Sequence, residues 1–252
     1  MFTENILSQS GSHNVVAQNG CFSVVEFTKD YSVTHDTATS KYFASQMNLR
    51  KRQVVAALNG NSVTLQAGAM QMMIGQVNAA TNVKGAGDLM KKLIGGKVTG
   101  ESAIKPVYTG FGLIVMEPTY RYILFENVEN WNGGMVIDDG LFLACDSTVE
   151  LGVVARSNIS SAVLGNEGLF NSILKGSGVA VLESRVPAEE LFVIDLNNDV
   201  LKIDGNMAIA WSASLEFTVE RTTKTLVGSA ASGEGLVNVY KGTGRVLVSP
   251  VA

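Results

Sequence analysis

Three Gly-x-Gly pairs, each set just ahead of a β-type apolar run, recur at one fixed interval. PVYTGFGLIVMEP (106–118), SILKGSGVAVLES (172–184) and NVYKGTGRVLVSP (238–250) carry Gly110/Gly112, Gly176/Gly178 and Gly242/Gly244, with 66 residues between the first glycines of successive pairs. One such pair constrains little. Three at equal spacing predict an internal triplication. A second anchor holds the register, because Glu101, Glu167 and Glu234 precede their pairs by 9, 9 and 8 residues. The residue before each glutamate is Gly100, Asn166 or Gly233, types that tolerate positive φ. A third anchor opens each unit: VTLQAGAMQMMIG (63–75), MVIDDGLFLACDS (135–147) and VLKIDGNMAIAWS (200–212) align on Gly68, Gly140 and Gly205. The last two follow Asp, the pairing that favours a tight hairpin turn.

The chain therefore divides into an N-terminal extension (1–49) and three units, 50–118, 119–184 and 185–252. FSVVEF (22–27) and YSVT (31–34) alternate like strands within the extension. With 26 glycines and only 4 prolines, the composition suits many short strands joined by tight turns. The predicted fold is all-β, three fused units of β-sandwich or double-stranded β-helix type. A unit of this size buries little surface alone, so the units are expected to pack as one body with approximate threefold symmetry. VKGAGDLMKKLIGGK (83–97) spaces Leu89, Met90 and Leu93 helically and predicts one short inserted helix in the first unit.

A dinucleotide-binding loop needs a helix after its glycines and a third glycine. GLIVMEP, GVAVLES and GRVLVSP instead read as strands, so each Gly-x-Gly is expected to be a backbone hinge at a bulge or a close crossing.

The spaced motifs together resemble the altered inheritance of mitochondria 24 family. The likeness rests on Ala67-Gly68-Ala69-Met70, on LMKKLIGGKVTGES (89–102), and on the Gly/Asn-Glu-Gly turns and Gly-x-Gly pairs of the last two units, and it spans about 50–252. It implies a fold similar to the tryptophan RNA-binding attenuation protein, repeated three times in one chain. It implies no catalytic residues and no cofactor. Mitochondrial relatives are associated with inner-membrane organisation, which suggests a scaffold.

Conventional catalysis finds little support in the residues themselves. His13 and His35 are the only histidines, no nucleophile elbow occurs, and Cys21 and Cys145 form no metal-binding or redox spacing. The two Ser-x-x-Lys strings, Ser102–Lys105 and Ser172–Lys175, sit at non-equivalent unit positions and lack companion motifs. Glu101, Glu167 and Glu234, one per unit, are the candidate ligands for a hard cation, set against the simpler role of capping their own turns. A net charge of −4 argues against DNA. RNA binding needs a recurring basic ring, yet the equivalent positions Thr109, Lys175 and Lys241 supply only two lysines. Leu49-Arg50-Lys51-Arg52 reads as a solvated strand edge. The methionines Met70, Met72 and Met73, and both Trp131 and Trp211, read as core.

MFTENILSQSGSHN lacks a signal-peptide core, and no apolar run reaches membrane-spanning length, so a reducing cytoplasm is the expected compartment. The expected function is binding or assembly, through protein partners or self-association, without catalysis. RNA binding and a metal-assisted enzyme built on the three glutamates stand as the alternatives.

Overall fold

A computed structural model describes residues 2–81, 105–155, 170–221 and 236–251. The protein is mostly β. The extension supplies β1 (His13–Asn19), β2 (Phe22–Phe27) and one helix, α1 (Ala38–Gln46). Then follow β3 (Lys51–Leu65), β4 (Met70–Ala80), β5 (Val107–Met116), β6 (Tyr122–Asn127), β7 (Met135–Ile137), β8 (Phe142–Asp146), β9 (Val149–Ala155), β10 (Phe170–Gly176) and β11 (Val179–Ser184). The chain closes with β12 (Phe192–Asp204), β13 (Ala208–Ser212), β14 (Glu216–Arg221) and β15 (Leu236–Val248). The helix expected over 83–97 lies outside the described residues. The strand expected at Tyr31–Thr34 does not form; that stretch carries no regular structure and leads into α1, which buries none of its residues.

Among the described residues the strands form two antiparallel sheets. One runs β1-β2-β3-β8-β11-β6, with β5 also on β3 and β4 on β5; the other runs β12-β15-β13-β7-β10-β9, with β14 on β15. The strands β6 to β11 are shared between them. β10 pairs with β7 and β9 in one sheet, and its continuation β11 pairs with β8 and β6 in the other. The chain changes sheets at Gly176-Ser177-Gly178. The strands facing the other Gly-x-Gly pairs break register at the same place, between Asn59 and Ser62 on β3 and between Leu196 and Asp199 on β12. Opposite Gly178 the partner chain turns through a short 3-10 segment, Val128–Asn130, whose Val128 N–H donates to the Gly178 carbonyl at 3.0 Å.

Four apolar clusters form among the described residues, the smallest on Val25, Val55, Leu113 and Val115. The first joins Val63, Leu65, Tyr108, Ile114 and Met116 to Ala144 and Val181; the second joins Met135, Ile137, Leu174 and Leu182 to Ala210 and Leu247. The third is built on Ile203, Trp211, Tyr240 and Val246. Trp131 and Trp211 are buried as their sequence context suggests. Trp211 stacks on Phe217 with ring centroids 5.6 Å apart and meets Tyr240 edge-on at 5.4 Å.

Candidate functional site

The most specific geometry in the molecule is a strand junction made twice. β3 joins β8 through Val63↔Asp146, Thr64↔Cys145 and Leu65↔Ala144; β7 joins β13 through Met135↔Ser212, Val136↔Trp211 and Ile137↔Ala210. Each junction is antiparallel and three residues long, with Val63, Leu65, Met135, Ile137, Ala144 and Ala210 all fully buried. Each also begins on the residue just after a β-bulge. The ladder skips Leu143 between Phe142↔Leu182 and Ala144↔Val181, and skips Ile209 between Ala208↔Val248 and Ala210↔Leu247. β4 has the same bulge, skipping Gln71 between Met70↔Met116 and Met72↔Val115. Such a bulge turns the strand more sharply and re-aims its side chains.

Among the described residues β4 pairs only with β5, and β12 only with β15. Both carry exposed apolar side chains among polar ones, with Met72 at 40%, Met73 at 41% and Val200 at 43% exposure. The sequence pattern assigned the methionines to the core. Met70 does pack against the first cluster, whereas Met72 and Met73 line an edge, because among the described residues β4 has a neighbour on one side only.

The Gly-x-Gly pairs sit where backbones approach closely. A Cβ on Gly110 would lie 2.0 Å from the Gln76 carbonyl oxygen, and one on Gly112 would lie 1.9 Å from that of Ile74. At Gly176 the Thr148 carbonyl oxygen stands 2.6 Å away, at Gly178 the Thr148 hydroxyl 2.9 Å, and at Gly244 the Ser212 Cβ 2.7 Å. Gly242 has more room but a φ of +125°. Gly68, Gly140 and Gly205 occupy turns at φ +83°, +77° and +66° with no neighbouring atom within 4 Å.

Glu101, Glu167 and Glu234 all lie outside the described residues. Among the described residues no three His, Cys, Asp or Glu side chains converge as a metal site would require. Lys175 and Lys241 are exposed, but each sits directly across its ladder from a glutamate, Glu150 and Glu216 respectively. Thr109 spends its hydroxyl on Ser62 at 2.9 Å.

Charged groups elsewhere fasten the sheets. Arg52 was expected on a solvated edge and is instead 6% exposed. Its Nη2 meets Glu26 Oε2 at 2.6 Å, and its guanidinium lies 4.3 Å from the Tyr122 ring centroid. β2 and the Thr119 backbone flank this start of β3, which removes the edge. Glu126 accepts the Trp131 indole N–H at 3.2 Å, yet its burial raises the carboxyl above the ordinary glutamate range. Arg245 binds Asp195 through two bonds, at 2.7 and 3.0 Å, and this contact holds the carboxyl below the usual aspartate range. Cys21 and Cys145 are free; burial, reinforced by the Asp146 charge, pushes each thiol up to about 12. A recess of about 300 Å³ lies between Arg121, Asp138, Arg185, Asn206 and Ser249.

The open edges were missed in the sequence. A signal for β4 existed in Met70-Gln71-Met72-Met73-Ile74, whose successive apolar residues face both sides of a strand.

The family model described as Mitochondrial biogenesis AIM24 matches residues 45–251. No curated protein matched. Among solved structures, the chain is similar to a Streptococcus pyogenes protein determined by X-ray crystallography. The two are 25% identical, the TM-score is 0.58, and the likeness covers 81% of this chain and 89% of that one. Among the described residues no helix is long and apolar enough to cross a membrane.

Proposed function

The chain belongs to the Mitochondrial biogenesis AIM24 family, and from that premise we propose that it is a non-catalytic binding and assembly protein. In this reading residues 50–118, 119–184 and 185–252 are three like β units, of the kind found in the tryptophan RNA-binding attenuation protein, behind an extension of 49 residues. Their Gly-x-Gly pairs serve chain geometry, not ligand chemistry. The units form a run joined edge to edge, and the protein acts in a reducing cytoplasm by associating through sheet edges.

The observation that carries the reading is the junction made twice, β3 to β8 and β7 to β13, with the same length, direction and offset from a bulge. A surface that recurs within one chain is a surface selected for joining units. The bulge found in β4, β8 and β13 alike supports the same reading, as do the exposed apolar strand edges, which favour pairing with another sheet. Size-exclusion chromatography coupled to light scattering tests it. Association beyond one chain, strengthening with concentration, is the expected result. A mass of 26.7 kDa at every concentration would overturn it.

A further inference from the structure

The two internal junctions obey one rule, and that rule can be carried to the ends of the chain. Val63, Met135 and Leu201 are equivalent, since each faces the residue two before its Gly-x-Gly: Tyr108, Leu174 and Tyr240. Leu65, Ile137 and Ile203 follow two residues later. On the other strand Met72, Ala144 and Ala210 are equivalent, each the first residue after the shared bulge. In both internal junctions the first set pairs with the second: Leu65 with Ala144, Ile137 with Ala210. Ile203 has no such partner within the described residues, and neither has Met72.

Resting on the assembly reading above, we propose that β12 of one copy pairs antiparallel with β4 of a second copy, in the register Leu201↔Ile74, Lys202↔Met73 and Ile203↔Met72. The occupant of each open edge is another molecule of this chain, because β4 and β12 are the edges equivalent to the strands that meet in the two internal junctions. Burial supports the match. Where the junction exists, the positions equivalent to Met72 and Met73 are buried: Ala144 and Cys145 are 0% exposed, and Ala210 and Trp211 are 0% and 5%. Met72 and Met73 at 40% and 41% are the same positions lacking a neighbour. Core composition agrees, since the first cluster receives Ala144 and the second Ala210 from the following unit. Met72 of the second copy would cover the third in the same way. Lys202 stands where the internal junctions have buried Thr64 and Val136, and in the contact it would keep its charge paired with Glu220, now 2.8 Å away. The contact joins two different surfaces, so copies add head to tail and either close a ring or run on as a filament.

Met73→Cys and Lys202→Cys, made separately, test the register, since directly opposed residues bring Cβ atoms within about 5 Å. Both positions are exposed, and both variants should fold. Oxidising an equal mixture is expected to give about tenfold more disulfide-linked dimer than either variant alone, because pairing raises the effective thiol concentration. The double variant should link into multimers. No excess in the mixture overturns the proposal, and so does a double variant that links only within one chain, since that would mean the edges meet each other. If light scattering finds assemblies while the mixture stays unlinked, the register is wrong and the assembly reading survives. A strict monomer removes both.

Discussion

Gly112→Ala is the substitution whose cost follows most directly from the geometry. The new Cβ would stand 1.9 Å from the Ile74 carbonyl oxygen and 3.0 Å from both the Ile74 carbonyl carbon and Val77 Cγ2. Carbon and oxygen tolerate about 3.3 Å, so β4 and β5 must separate by roughly 1.4 Å where Gly75 faces Gly112. That stretch breaks about two ladder hydrogen bonds, each worth about 1 kcal/mol net. The glycine's φ of +155° adds about 1 kcal/mol once a side chain is present. The expected loss is about 3 kcal/mol, or roughly 6–12 °C in Tm for a chain of this size. Gly68→Ala is the control, because its φ is +83° with no atom within 4 Å, leaving only the backbone cost of about 1 kcal/mol. Urea titration of both variants with a common m-value measures the difference. Equal losses, or a Gly112→Ala variant as stable as the parent, would refute the claim that this glycine is kept for close strand approach.

Three further outcomes are expected. Glu126→Gln should stabilise the protein at neutral pH, where the half-buried carboxylate is ionised at a cost. Because burial raises the folded-state value, the native state holds more protons above the ordinary glutamate range. The parent therefore loses stability as pH rises through that window, and parent and variant should converge below it; melts across pH test this. Arg52→Met leaves Glu26 without its partner and should cost about 2–3 kcal/mol in urea titration, while adding Glu26→Gln should recover most of the loss. Cys21 and Cys145 should resist a thiol reagent at pH 8 and react fully only in denaturant, since both thiols titrate near 12 in the folded chain.

What the sequence disclosed was local or periodic. The mostly-β character follows from scarce proline, abundant glycine and alternating runs, and FSVVEF forms β2 over the residues that its alternation marks. The family was legible because its motifs are spaced along most of the chain. Burial was harder to read, because it depends on partners distant in sequence. Arg52 resembles a solvated charge until Glu26 and Tyr122 close over it. Met72 and Met73 resemble core until β4 proves to have a single neighbour among the described residues. α1 left little trace, since it has no acidic residue in its first turn, no basic one in its last and no buried face. The junctions were hidden for a related reason: three-residue ladders between residues 73–83 positions apart carry no local pattern. Glu101, Glu167 and Glu234, the most suggestive side chains in the sequence, lie beyond the described residues and remain candidates on spacing alone.

Hydrogen exchange measured at rising protein concentration tests the assembly most directly. Those amides of residues 72–74 and 201–203 that are not already bonded to β5 and β15 are expected to exchange progressively more slowly as the protein is concentrated, while residues 63–65 and 144–146, already paired within the chain, stay slow throughout. Exchange at 72–74 and 201–203 that is independent of concentration would contradict the account.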